Sequence, residues 1–249
     1  MKIAGLLSYN GSKYHGFEKQ PHVRTIQGTL ERVLSSFCGE KIAIKSSGRT
    51  DSGVHALGAV FAFSCARCFD LEKGRAAVNR LLPPDISVLS WKEVPESFDP
   101  RHSSSGKVYE YRFSYGEKHP LEVGLLTQVK TRIFDVEAFK KALSYFEGEH
   151  DFRNFTSKPE DKDDFVRRID SIEIQIDEEE KRGLVRFHGN HFMTYQIRFM
   201  VGAAFRAAFH KLPPEEIPLL LSRRPREIVH FKADPDGLYL VQVEYPDGI

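Results

Sequence analysis

The sequence predicts an α+β fold of two tandem ferredoxin-like (βαββαβ) units whose strands form a continuous, mostly antiparallel sheet. Two observations support this prediction. Apolar residues alternate with a period of two in some segments and follow the helical period in others, and these segments succeed one another in the βαββαβ order. The order found in the first half of the chain is then repeated in the second. With 249 residues, the chain is long enough for two small domains.

The first half contains the elements of one such unit. Thr25 precedes a segment with helical apolar spacing, so it is predicted to cap a helix. Asp70 precedes a second helical segment, which Pro83 and Pro84 terminate. The strands are predicted at residues 2–10, at Ile42 and Ile44, at 59–63 and at 86–94.

The second half repeats the pattern with longer connections. Asp135 is predicted to cap a helix, a long helix spans about residues 192–209, and a short helix follows Pro214. Strands are predicted at 108–115, 169–176, 184–187 and 238–245. The proline-bounded segment 95–100 is the expected junction, so the predicted domains are residues 1–98 and 99–249.

Composition excludes some classes of function and leaves others open. The chain has 36 Lys and Arg against 35 Asp and Glu, so a net charge of +1 indicates no particular partner. The three cysteines do not form a zinc-binding set, and we expect reduced thiols in a cytoplasmic protein without a metal. No apolar run reaches membrane-spanning length.

A polyanionic ligand would require a localised basic surface, because the total charge is nearly zero. The candidate residues for such a surface are Arg24, Arg101, Lys107, Arg112, Arg153, Arg198 and Arg206.

One loop is longer than its place in the fold requires. The hairpin turn of the second half, near residues 177–183, is short and charged, whereas its counterpart at 46–56 is long and rich in small residues. Long loops on a rigid scaffold often carry function. Between Gly48 and Gly53 this loop presents Asp51, whose neighbours favour an ionised carboxylate suited to a nucleophile or a base. The alternative is a local turn in which Asp51 pairs with Arg49.

The segment Gly48-Arg49-Thr50-Asp51-Ser52-Gly53-Val54-His55-Ala56 resembles the signature of the tRNA pseudouridine synthase A family. Further segments resemble the family's motifs in the same order along the chain. These are Tyr9-Asn10-Gly11, Tyr14-His15-Gly16-Phe17, Thr25-Ile26-Gln27, Asn79 to Ile86, Phe98-Asp99-Pro100-Arg101, Lys107-Val108-Tyr109-Glu110-Tyr111, Gly148 to Phe152, Gly189 to Phe192 with Ile197-Arg198, and Asp236-Gly237-Leu238.

The resemblance implies the pseudouridine synthase fold and an isomerase of RNA. Members convert uridine to pseudouridine at positions 38, 39 and 40 of the tRNA anticodon arm, without a cofactor or metal. Asp51 then matches the catalytic residue, and Arg49 matches an arginine that pairs with it and helps to hold the flipped nucleotide. Tyr109 matches a tyrosine that packs on the target base, and Arg198 matches an arginine near the catalytic aspartate. The resemblance also implies a homodimer.

Some positions depart from the family's pattern, and other functions remain open. Asn10 replaces Asp, Phe17-Glu18 replaces Trp-Gln, and residues 207–210 lack the usual glycine turn. A non-catalytic RNA-binding protein with tandem RNA-recognition units fits the same elements but gives the Asp51 loop no purpose. An acyl-phosphate hydrolase on this fold needs an anion-binding loop early in the chain, for which Gly11-Ser12-Lys13 is a weak match.

Overall fold

The computed structural model describes residues 1–157, 164–222 and 229–246. Its strands and helices confirm the predicted α+β class. In chain order they are β1 (Lys2–Tyr9), α1 (Ile26–Cys38), β2 (Lys45–Ser46), β3 (His55–Ser64), α2 (Leu71–Leu81), β4 (Ile86–Glu93), β5 (Gly106–Ser114), β6 (Thr127–Gln128), α3 (Val136–Ser144), β7 (Gly148–Asp151), β8 (Val166–Asp177), β9 (Arg182–Gly189), α4 (Gln196–Ala208), α5 (Glu216–Ser222) and β10 (Leu238–Glu244).

Contacts divide the chain into two compact units. The first unit is Met1–Lys107 together with Tyr239–Ile249, and the second is Val108–Leu238. The last strand belongs to the first unit because β10 pairs in parallel with β3, with Tyr239 opposite His55. The boundary inferred from the sequence, between residues 98 and 99, stays a prediction about folding domains.

The first unit has the predicted order β1-α1-β2-β3-α2-β4. Its strands lie in the order β4-β1-β3-β10, with β1 antiparallel to both neighbours. The predicted caps are confirmed, since Thr25 Oγ1 accepts from the N–H of Gly28 (3.2 Å) and Asp70 Oδ1 accepts from that of Lys73 (2.9 Å). These bonds satisfy backbone donors that a helix leaves free at its first turn.

The predicted strand at Ile42 and Ile44 is wrong. Both side chains are buried, as their alternation indicated, but their backbone bonds to α1 instead of to a strand. The N–H of Ile42 donates to Ser35 Oγ (2.9 Å), and the N–H of Ile44 donates to Glu31 Oε1 (3.2 Å). Strand pairing with β3 begins only at Lys45.

The second unit has its strands in the order β5-β9-β8-β7, with β6 parallel to β5. The β8–β9 hairpin is antiparallel, as expected, with Ile172 opposite Phe187. Its core contains an aromatic cluster in which the Phe113 ring centroid lies 5.2 Å from that of Phe139 and 5.1 Å from that of Phe205. The short strands β6 and β7 were not predicted, because two to four residues show no reliable periodicity.

Helix α4 begins later than predicted. Tyr195 has a φ of 64°, in the left-handed region, so the helix starts at Gln196 instead of near residue 192. The charged composition of Lys158 to Asp164 predicts a solvated loop, and this segment lies, except for Asp164, outside the described residues. Within the described ranges, no helix has the length and apolar character needed to cross a bilayer.

Candidate active site

Asp51 lies half-buried in the loop that joins β2 to β3 in the first unit. The N–H of Val54 donates to the Asp51 carbonyl oxygen (3.1 Å), and Gly53 adopts a φ of 83°. This turn fixes the backbone at Asp51 through main-chain atoms. The carboxylate therefore belongs to an ordered turn and not to an extended loop tip.

The end of β1 and the segment that follows it bond to both sides of Asp51. The N–H of Phe17 donates to the carbonyl of Thr50 (3.0 Å), and Tyr9 shares a buried hydroxyl–hydroxyl hydrogen bond with Thr50 (2.8 Å). After Asp51, the Tyr14 carbonyl accepts from Ser52 Oγ (3.2 Å) and from the N–H of Gly53 (3.3 Å). The loop is thus held before and after its carboxylate.

Two glycines allow this close approach. A Cβ on Gly11 would lie 1.9 Å from the carbonyl oxygen of Val54, and one on Gly16 would lie 2.9 Å from that of Thr50. Gly16 also has a φ of +86°, which side-chain-bearing residues rarely adopt. Gly11 and Gly16 of the N-terminal motif therefore allow that segment to pack directly against the backbone of the Asp51 loop.

Strand β10 supports the far end of the loop. The rings of His55 and Tyr239 stack with centroids 4.5 Å apart at 19°, and both are buried. The Nδ1 atom of His55 accepts from the N–H of Gly11 (3.2 Å). His55 thus connects three chain segments at the point where the loop becomes a strand.

Arg49 forms an ion pair with Glu18. The guanidinium lies 2.9 Å from Glu18 Oε1, and both side chains are exposed. Glu18 is one of the positions at which this chain departs from the family pattern. An exposed ion pair of this kind is weak, so Arg49 can exchange this partner for another anion.

The residue before Gly48 is held from several directions. Ser47 is fully buried, and its N–H donates to the carbonyl of Val60 (2.8 Å) while its Oγ accepts from the N–H of Val60 (3.2 Å). The Ser47 carbonyl accepts from Lys107 Nζ (2.8 Å). Burial and the nearby Arg101 lower the pKa of Lys107 to about 8.

Tyr109 lies on β5 in the second unit and is half-buried. Its ring meets that of Phe192 edge-on, with centroids 5.3 Å apart. Tyr111, two residues on, is fully buried, and its hydroxyl bonds to Thr127 Oγ1 (2.8 Å) and to the carbonyl of Asp234 (2.8 Å). Of the two tyrosines, Tyr111 therefore has the structural role.

Arg198 lies in the first turn of α4 and is buried. Its Nε donates to the carbonyl of Ala233 (2.8 Å), and its guanidinium lies 5.2 Å from the centroid of the Tyr195 ring. Tyr109 and Arg198 thus contact the two ends of the same segment, residues 192–195. Asp51 and Arg49 belong to the first unit.

The sequence did not predict which residues hold the Asp51 loop. Tyr9, Tyr14, Gly16 and Lys107 all stand in the motifs quoted above, but their spacing gives no sign of contact with residues 47–55. Among the residues that the structure describes, no group of three or more His, Cys, Asp or Glu side chains is arranged to hold a metal ion.

The family model described as tRNA pseudouridine synthase matches residues 6–103 and 142–246. A Streptococcus pneumoniae protein named tRNA pseudouridine synthase A is 36% identical over 243 residues, covering 97% of each chain. A Streptococcus gordonii protein of the same name is 34% identical over 248 residues, covering 99% of each. The alignment with a solved Cbf5-Nop10-Gar1 complex covers 96% of this chain and 58% of the other chain, at 12% identity and a TM-score of 0.39.

Proposed function

The chain belongs to the tRNA pseudouridine synthase family, and on that premise we propose that it isomerises uridine to pseudouridine in the tRNA anticodon stem-loop. The target positions in this proposal are 38, 39 and 40, one or more of them. The enzyme is an isomerase: the bond between ribose and the uracil nitrogen breaks, the base turns, and a carbon of the same ring bonds to the ribose. The proton displaced from that carbon requires a base.

In this proposal the reaction depends on Asp51. Its carboxylate attacks the uracil ring or the ribose, or removes a ribose proton, and the three routes share the need for an ionised oxygen. Arg49 holds the extruded nucleotide, Tyr109 packs on the target base, and Arg198 supports the site. Extrusion is needed because stacking shields the glycosidic bond in a paired or stacked strand.

The observation that best supports this role is the way in which the Asp51 loop is held. Hydrogen bonds to Thr50 on one side and to Ser52 and Gly53 on the other fix the loop before substrate arrives. A reacting group that is already positioned avoids an entropic cost in the transition state. A loop that served only to connect β2 to β3 would not need this support.

Asp51→Asn tests the assignment directly. We expect turnover on unmodified tRNA to fall by at least about 10²–10⁴-fold, because an amide is neither a nucleophile nor a base. Folding and tRNA affinity should remain close to those of the wild type. The measurement is single-turnover pseudouridine formation with enzyme in excess, together with circular dichroism and a binding curve.

Asp170→Asn is the matched control, since it makes the same change at an exposed carboxylate on β8. This variant should retain wild-type turnover. Wild-type rates in purified, folded Asp51→Asn would remove Asp51 from the mechanism.

We further propose that the enzyme acts as a homodimer in the cytoplasm, without a cofactor. The resemblance to the family supports the dimer, and light scattering of the purified protein tests it. Mapping pseudouridine in tRNA substrates that carry uridine at only one of positions 38, 39 and 40 identifies the targets. A non-catalytic RNA-binding protein would bind these RNAs and leave every uridine unchanged.

A further inference from the structure

A nearly buried lysine lies beside the first glycine of the Asp51 loop. Lys107 is only 9% exposed, and its ammonium donates to the carbonyl of Ser47 at 2.8 Å. Among the described residues this is its single hydrogen bond, although an ammonium carries three N–H donors. Most of its hydrogen-bonding capacity therefore remains unused.

The charge of Lys107 also has no carboxylate partner among the residues that the structure describes. The charge that acts on it most strongly is the like charge of Arg101. The carboxylate of Asp99, two residues before Arg101, is already engaged, with Lys45 Nζ at 3.0 Å and His102 Nδ1 at 3.2 Å. Burying an unpaired charge is costly, so an anion that bound here would recover part of that cost.

Gly48 allows this ammonium to lie close to the backbone of the loop. A Cβ at Gly48 would lie 3.1 Å from Lys107 Nζ, so any other residue would crowd the position next to the lysine. Gly48 is only half-buried, and Arg101 is exposed, so a ligand can approach from solvent.

We propose that Lys107 and Arg101, beside Gly48, form a subsite for one phosphate group of the substrate RNA. The N–H groups of the two cations that have no other partner among the described residues donate charge-assisted hydrogen bonds to the phosphodiester oxygens. Gly48 lies three residues before Asp51. A phosphate bound beside Gly48 therefore fixes the position of the RNA strand relative to the Asp51 carboxylate. That RNA supplies the phosphate rests on the proposed function, whereas the affinity of the subsite for phosphate does not.

The first test measures phosphate binding at Lys107 in the wild-type protein. The pKa of Lys107 is measured by NMR of protein with labelled lysine side chains, with and without inorganic phosphate, and Lys107→Arg identifies the signal. The charged group that acts on this ammonium is Arg101. Two residues before Arg101 lies the Asp99–Lys45 pair, and the hydroxyl of Tyr245 donates to the carbonyl of Pro100 at 2.7 Å. We expect phosphate to raise the pKa of Lys107 above its value of about 8 in the free protein. A titration that phosphate leaves unchanged overturns the subsite.

The second test measures tRNA binding as a function of salt and pH. Lys107→Met should weaken binding by about tenfold and reduce the log–log salt slope by about 0.7, the loss of one contact with a single strand. Wild-type affinity should decrease as the pH rises through 8, since the neutral amine attracts phosphate less, and this decrease should be absent in Lys107→Met.

Lys73→Met, which removes an exposed lysine from α2, is the control and should keep the wild-type pH dependence. An unchanged salt slope in folded Lys107→Met contradicts the proposal. If phosphate raises the pKa of Lys107 but no tRNA uridine is isomerised, the subsite stands and the proposed function fails. The reverse result leaves the function and removes the subsite.

Discussion

Gly16 illustrates how a single residue can determine the position of the candidate catalytic carboxylate. It is far from Asp51 in the sequence, yet a Cβ there would lie 2.9 Å from the carbonyl of Thr50 and 3.3 Å from the nitrogen of Ser52. Gly39, at the end of α1, offers a contrast. It has a similar φ of +73°, but a Cβ there would meet nothing within 4 Å.

Alanine substitutions at these two glycines distinguish the effect of backbone strain from the effect of displacing the Asp51 loop. Gly39→Ala should cost about 1–2 kcal/mol of stability, the penalty for a left-handed alanine, and leave turnover unchanged. Gly16→Ala should carry the same penalty and also lower turnover by about 10²-fold, because it displaces the residues on both sides of Asp51. Chemical denaturation and single-turnover rates measure the two effects, and equal turnover in both variants would contradict this account.

Glu18 restrains the other predicted member of the loop, since it pairs with Arg49. In Glu18→Gln the Arg49 guanidinium keeps a neighbouring side chain of the same size. It no longer has a carboxylate that competes with the RNA for it. We expect tRNA affinity to increase by up to about fivefold, in line with the 0–1 kcal/mol that an exposed ion pair contributes. Binding curves at low salt measure this. Reduced affinity would mean that Glu18 positions Arg49 for the RNA and does not compete with it.

At the scale of elements, β5 places two tyrosines of different burial on the same face of the sheet, since residues two apart share a face. Tyr111 is enclosed and bonded to Thr127 and Asp234, whereas Tyr109 is half-buried against Phe192. Sequence alternation predicts the shared face. It does not predict which tyrosine is enclosed, because that depends on the helix packed above the strand.

Removing each hydroxyl tests this division. Tyr111→Phe should lower the free energy of unfolding by about 1–3 kcal/mol, because it leaves buried partners without a hydrogen bond. Tyr109→Phe should leave stability within about 0.5 kcal/mol of the wild type. If its hydroxyl carries a proton in the reaction, Tyr109→Phe should also lower turnover by about 10²–10⁴-fold while tRNA still binds. Unchanged turnover would leave Tyr109 a stacking role only.

The elements that the sequence predicted best have strong local signals. Thr25, Asp70 and Asp135 cap helices as expected, since capping is decided within three residues of the chain. The prediction of a strand at Ile42 and Ile44 was wrong because a burial pattern does not reveal which groups accept the backbone hydrogen bonds. The partners of those N–H groups are side chains of α1, which are outside any local window.

At the scale of the whole molecule, the same limit applies to the candidate site. The motif around Asp51 was evident in the sequence, and so were Arg49, Tyr109 and Arg198 as residues of interest. The bonds from residues 9–17 to the loop, and the pairing of β10 with β3, join segments far apart in the chain. No periodicity records such pairings, because they depend on the complete fold.

The free energy of unfolding should depend on pH because of one buried charge, that of Lys107. The pKa of Lys107 is lowered from 10.5 to about 8, so the folded protein releases this proton before the unfolded chain does. The free energy of unfolding therefore gains on the order of 3 kcal/mol from this group as the pH rises from about 8 to 10.5. Denaturation of the wild type and Lys107→Met across this range measures the gain, which should be missing in the variant. Parallel pH profiles would mean that the lysine is solvated in solution.

The parallel pairing of β10 with β3 also orders events during synthesis. A ribosome completes the Asp51 loop early, but Tyr239, which stacks on His55 at the end of that loop, is translated after the entire second unit. A nascent chain that ends before β10 consequently holds every residue proposed for the chemistry while its loop lacks one of its supports. Activity should thus emerge late in translation, so that incomplete chains released by a stalled ribosome do not modify RNA.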